Sequence, residues 1–175
     1  MSVGEKNTPG ACNNLEIGKI AIQKGILTII SYFNQTVVEK ILAEQGAAKV
    51  ITATNVFAHI DGVNEVVKCI LNLLKPDGVF ITECHYLGSL VETLQYDTIY
   101  HEHFSYLSLG ATISVLTSAG LEVFHVEELP THGGSLRVHA KRDSSDAHDQ
   151  MQSVEAMLTL EGDEGMWDPG FYLSF

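Results

Sequence analysis

Between Tyr96 and Tyr106 the chain places three tyrosines, two histidines and two acids: Tyr96, Asp97, Tyr100, His101, Glu102, His103 and Tyr106. Such a set can take and give protons near neutral pH, because imidazole titrates at about 6.5 when unperturbed. No amphipathic pattern fits it. Read as a strand, Tyr100 and Glu102 share one face and His101 and His103 the other; read as a helix, Tyr100 and His103 fall together and Glu102 points elsewhere. A surface stretch rarely carries so many aromatic residues, and a core stretch rarely buries His-Glu-His without partners. The pattern therefore predicts an ordered loop lining a cleft. His101, Glu102 and His103 also suggest a metal, but adjacent ligands without a distant third make a poor site, and none is expected there.

Further candidates stand at element ends. His59 follows a strand end, the edge at which open α/β sheets take ligands; the alternative is a hydrogen-bonded structural histidine. Pro130 to Ser135, with His132, Gly133 and Gly134 at its centre, has the composition of a turn. His85 and Tyr86 follow another strand and either face the cleft or cap the sheet. Cys84 reads as a small buried hydrophobe.

The elements that position these residues alternate. Leu15 to Gly18 lacks the further glycines of a phosphate-cradling loop, so residues 15–24 read as a helix capped by Gly25. Ile26–Ile30 has strand composition, 35–45 helical spacing ending at Gly46, and Lys49–Asn55 the look of a buried parallel strand. Asn64–Leu74 is an amphipathic helix, Lys75–Gly78 a turn and Val79–Glu83 a strand. Residues 109–119 form a helix, and two late strands, 121–126 and 136–140, flank the Gly-Gly turn as an antiparallel sheet edge. Residues 141–150 read as a polar linker and Val154–Leu160 as a helix. Strict alternation predicts an open, doubly wound parallel sheet, α/β in class.

The 175 residues suit one domain with part of a second, and 45% hydrophobic with 18% charged residues are globular values. A net charge of −12 argues against nucleic acid or an anionic membrane as the main partner. Three scattered cysteines, Cys12, Cys69 and Cys84, suggest a reducing compartment without a zinc knuckle. With no apolar run of spanning length and no signal-peptide core, the expected location is the cytoplasm.

Thr54–His59, Leu74–Phe80, Tyr96–Leu109 and Leu129–Val138 together resemble the S-adenosylmethionine-dependent sugar C-methyltransferases, which act on nucleotide-linked deoxy-ketosugars. Leu74-Lys75-Pro76-Asp77-Gly78 is generic to class I methyltransferases; the Asp97–Tyr106 and Thr131–Arg137 segments are specific to this family. The resemblance covers roughly residues 13–175. It implies a partial class I (Rossmann-like) doubly wound sheet with antiparallel late strands, S-adenosylmethionine as cofactor and a nucleotide-linked ketosugar as substrate. The division it implies is a polar leader at 1–14, a partial catalytic domain at 15–142, and a linker with the start of a C-terminal domain at 143–175. The family's N-terminal zinc module, glycine-rich cofactor loop and first two strands are expected to be missing.

By position in the family motif, His103 is the base that removes the proton beside the ketone. Tyr100 and His59 serve the enolate oxygen, and Glu102 orients the substrate or a neighbouring catalytic group. His132 and Tyr86 approach the substrate, and Asn55 and Phe57 border the cofactor. The alternative reading is a non-catalytic remnant or interaction module that self-associates through exposed sheet edges.

Overall fold

Asn14 opens the first helix by accepting hydrogen bonds from the backbone N–H groups of Glu16 and Ile17, each at 3.1 Å. Asn34 opens the second by accepting from Val37 at 3.0 Å, the task for which short polar side chains are favoured at this position. The structure, a computed structural model, describes residues 9–175, and the chain divides into two compact units, Met1–Ala47 and Ala48–Phe175.

In the first unit, β1 (Gly10–Cys12) pairs in parallel with β2 (Thr28–Ile30), joined by α1 (Leu15–Gln23). α1 lies so close to β2 that a Cβ at Gly18 would stand 2.7 Å from Ile30 Cγ1. α2 (Gln35–Gln45) ends at Gly46, whose φ of 78° needs no Cβ. The expected leader is corrected in part: residues 10–12 form a strand, while residues 1–8 lie outside the described residues.

The second unit holds a four-stranded sheet in the order β3-β4-β6-β5. β3 (Ala48–Thr54) and β4 (Leu74–His85) are parallel and joined by α3 (Val63–Leu73). β5 (Leu121–Leu129) follows α5 (Leu109–Thr117), and β6 (Ser135–Arg142) runs antiparallel between β4 and β5. The short α4 (Leu87–Glu92) leaves the end of β4. The late antiparallel strands are thus as the sequence predicts, with β5 at the edge of the sheet. The turn expected at Lys75–Gly78 is instead an outward bulge within β4. Ala48 pairs with Leu74 and Val50 with Val79, so four β4 residues are looped out against one of β3.

Val67, Ile70 and Leu73 of α3, Leu109 and Leu116 of α5, and Phe80, Val126, Leu136 and Val138 of the sheet are all buried. Each such side chain contributes roughly 1.5–3 kcal/mol on leaving water. α6 (Gln152–Asp163) packs on β5 and α5. The carboxylate of its Glu161, fully buried, accepts from the backbone N–H groups of Leu109 and Gly110, while Ser108 Oγ accepts from Ala111 at 3.1 Å. The first three free amides of α5 are therefore all satisfied. The run between β6 and α6 is tied to the sheet, because Lys141 Nζ donates to Ser145 O and the Met151 N–H to Phe124 O, at 2.7 and 2.8 Å. Among the described residues no helix is long and apolar enough to cross a membrane.

Candidate active site

β3 and β4 run parallel, and β6 begins where β4 ends, with His85 opposite Ser135. One edge of the sheet therefore gathers the residues that follow β3, those that follow β4 and the turn before β6. A short 3-10 turn, Phe57–His59, follows β3. The loop after α4 folds back onto it, the Phe104 N–H donating to Ala58 O at 2.7 Å. This contact brings His103 to His59, with ring centroids 4.7 Å apart, across 44 positions of sequence.

Hydrogen bonds set the chemistry of His103. Its Nδ1 lies 3.0 Å from Thr98 O, an acceptor only, so Nδ1 carries the proton and Nε2 the lone pair in the neutral ring. The Tyr100 hydroxyl sits 2.9 Å from that Nε2, its ring tilted by 33° against the imidazole with centroids 4.1 Å apart. Tyr106 closes the other side edge-on at 5.6 Å and donates to the same Thr98 carbonyl at 3.3 Å. His59 is oriented alike: its Nδ1 meets Glu102 O at 2.9 Å, leaving Nε2 open. Two imidazoles are thus each held through Nδ1 by a backbone carbonyl, with Nε2 of His59 open and Nε2 of His103 facing the Tyr100 hydroxyl.

Glu102 contributes through its backbone; its exposed carboxylate makes no hydrogen bond or ion pair among the described residues. His101 is exposed. His132 belongs to the same edge, at 3.1 Å from the Asn55 amide. Both residues have φ of 53°, as does Leu94, the sparsely populated left-handed region that concentrates at functional sites. The backbone of Asn55 is pinned by a 2.8 Å bond from its N–H to Glu83 O. The turn carrying His132 is clamped by Gln95 Nε2, which donates to Gly133 O at 2.8 Å. A Cβ at Gly133 would collide with the Gln95 side chain and one at Gly134 with Ser89, so both glycines are required by close approach as well as by positive φ.

His85, at the end of β4, completes the group. Its Nε2 is buried without a hydrogen-bond partner. Burial holds its pKa below the ordinary imidazole value; the Gln95 side chain opposes this, and His103 and His132 add to the depression. His85 is thus neutral at pH 7, with a polar atom aimed at no protein group. The sequence left its direction open, and the signal that would have settled it is the pairing of His85 with Ser135, which sets the His132 turn beside it.

Two expected site residues point elsewhere. Tyr86 is buried, and its hydroxyl donates to Met166 Sδ at 3.6 Å; burial and then Glu161 push its pKa well up. It supports α6 and offers nothing to a substrate. Phe57 is fully buried with its ring 5.8 Å from that of Phe80, so it offers no open face to a cofactor. Asn55, exposed at the end of β3, keeps the polar character that a cofactor border requires.

Comparison with known proteins places this edge in context. Residues 10–126 match the family model described as a methyltransferase domain, and residues 130–175 that of a C-methyltransferase C-terminal domain. Over 156 residues the chain is 38% identical to the C-methyltransferase NovU of Streptomyces niveus, covering 89% of this chain and 37% of that protein. It therefore spans just over a third of the curated relative's length. Among solved structures, an S-adenosylmethionine-dependent methyltransferase from Mesorhizobium loti superposes with a TM-score of 0.58 at 15% identity, over 79% of this chain and 82% of that one. The magnesium protoporphyrin IX methyltransferase of Synechocystis, with bound S-adenosylhomocysteine, gives 0.56 at 12% identity, over 78% and 64%. At these identities the structures speak to fold: a class I methyltransferase sheet of mixed strand direction.

Proposed function

This chain belongs to the methyltransferase-domain family, and we propose that it serves to methylate the carbon beside the ketone of a nucleotide-linked 4-ketosugar. The observation that supports this reading is the His103 imidazole, whose basic Nε2 faces the Tyr100 hydroxyl at 2.9 Å with the His59 ring beside it. The sugar enters through the likeness of the Asp97–Tyr106 and Thr131–Arg137 segments to the sugar C-methyltransferases.

In this reading the substrate ketone takes over the Tyr100 hydroxyl. His103 Nε2 removes the α-proton, and the electron pair of the broken C–H bond moves to the ketone oxygen. Tyr100 O–H donates to the enolate so formed, a positioned donor of a kind worth about 3 kcal/mol; His59, whose Nδ1 proton is held by Glu102 O, donates from Nε2 in its imidazolium form. The enolate carbon then forms its new C–C bond, and the proton leaves on His103. S-adenosylmethionine supplies the electrophilic methyl group and leaves as S-adenosylhomocysteine. Asn55 borders its place at the end of β3, with its amide as a hydrogen-bonding group.

Calorimetric titration of S-adenosylhomocysteine into the 175-residue chain, paired with solvent-deuterium exchange at the α-carbon of a nucleotide-linked 4-ketosugar, tests the reading. One-to-one binding and exchange lost in His103→Ala are expected. A folded chain that does neither overturns it. A second reading, a non-catalytic module that pairs with another copy of itself, is favoured by β3, which has one strand neighbour and leaves Val50 51% exposed. Light scattering that shows only monomer at high concentration removes that one.

A further inference from the structure

Away from the strand-end histidines, the β5–β6 pair carries a second set of titratable side chains. His125 and His139 are direct cross-strand partners, and Glu127, two residues along β5, shares their face. Glu127 Oε1 lies 2.9 Å from His139 Nε2 and 3.7 Å from His125 Nε2. One ligand atom from each of the three lies within 4.8 Å of the others. Donors around a tetrahedral ion with bonds of 2.0–2.1 Å stand ~3.4 Å apart. The two measured carboxylate–imidazole spacings bracket that value.

Hydrogen bonding between strands accounts for only part of this cluster. The His139–Glu127 contact is a hydrogen bond, but 3.7 Å from His125 to the same oxygen is too long for one. His125 Nδ1 is already engaged by Ser153 Oγ of α6 at 2.8 Å, so Nε2 is the ring atom left to face Glu127. The other oxygen of Glu127 stands 3.9 Å from Arg137, which itself pairs with the buried Glu83 at 3.0 Å. His125 and Glu127 are thus each held from behind by a group that is not itself a ligand, the arrangement that orients ligands around an ion. The three side chains are partly shielded, His139 at 18% and His125 at 26% exposure.

We propose that His125, Glu127 and His139 bind one divalent transition-metal ion of the zinc class. Nε2 of each histidine and Oε1 of Glu127 are the ligands, and water completes the shell. Imidazole with carboxylate is a donor set for borderline ions rather than for magnesium or calcium. The ion replaces the proton shared between His139 and Glu127, which passes to solvent. It joins β5 to β6 and, through Ser153, to the start of α6, and so acts as a structural clip apart from the His59–His103 group.

The test uses the 175-residue chain freed of metal by chelation. Zinc is titrated by calorimetry, cobalt by its visible absorption, and melting is followed with and without zinc. One equivalent bound and a higher melting temperature are expected, both lost in His139→Ala and in Glu127→Gln and both unchanged in His103→Ala. Ser153→Ala, which removes the hold on His125 together with an acceptor for the Val126 N–H at 3.3 Å, weakens binding by ~10-fold. Glu127→Gln keeps the side-chain shape, so its metal-free melting curve separates a lost ligand from a lost fold. Absence of binding by the folded parent overturns the proposal. So does binding that survives both ligand variants, or binding abolished by His103→Ala, which would place the ion among the strand-end histidines.

Discussion

Asn55 and His132 meet at 3.1 Å through their side chains although 77 positions separate them, and both hold a φ of 53°. Two left-handed residues joined by one hydrogen bond tie the end of β3 to the turn before β6. The backbone conformation costs an L-residue such as histidine roughly 1–2 kcal/mol, so it persists because the surroundings impose it. His132→Gly is therefore expected to melt at or above the parent temperature while losing ketosugar exchange activity. His132→Ala, which keeps the strain and loses the bond, melts lower. Thermal denaturation beside an exchange assay separates the two.

Tyr100→Phe removes the hydroxyl facing His103 Nε2 and keeps the ring that packs against the imidazole. The expected result is a fall in exchange and methyl-transfer rates by about 10²–10³, with little change in melting temperature. A comparable loss of stability would mean that the pair is a packing device and not the reacting one.

His85 makes the fold sensitive to acid. Burial lowers its folded pKa below the unfolded value of about 6.5, so below that pH the unfolded chain binds more protons than the native one. Stability is therefore full above the unfolded value and falls as pH drops below it towards the folded pKa. The facing groups that modulate this are Gln95, His103, His132 and Asp97. Melting temperatures of the parent are expected to drop more steeply between pH 7 and pH 5 than those of His85→Gln. Parallel curves would show that His85 is not the group responsible.

Glu161 of α6 holds the start of α5. Replacing it with alanine leaves the Leu109 and Gly110 amides without their acceptor. The expected cost is about 3 kcal/mol, from one buried and one part-buried donor left unpaired at roughly 1–3 kcal/mol each. Glu161→Gln keeps one acceptor oxygen and is expected to cost less. Urea unfolding of the two variants measures both, and equal, small effects would show that water replaces the carboxylate.

Much of the chain's local order was legible from residue types alone. The helices at 35–45 and 109–117 and the strand at 48–54 follow from apolar spacing, side-chain caps and glycine stops, which act over a few residues. The Tyr100–His103 cluster was visible as a polar aromatic run that no regular element could bury. What periodicity could not show was direction. Tyr86 and His85 are neighbours after one strand, yet one turns into the core towards Met166 and the other towards His103 and His132. Nor could it show that His125, Glu127 and His139 share a face, because that depends on the antiparallel register of β5 against β6. Residue types and spacing determined the elements, since burial of an apolar stripe is a local property. Tertiary structure alone decided which side chains meet, since strand register and loop return bring together groups that are remote along the chain.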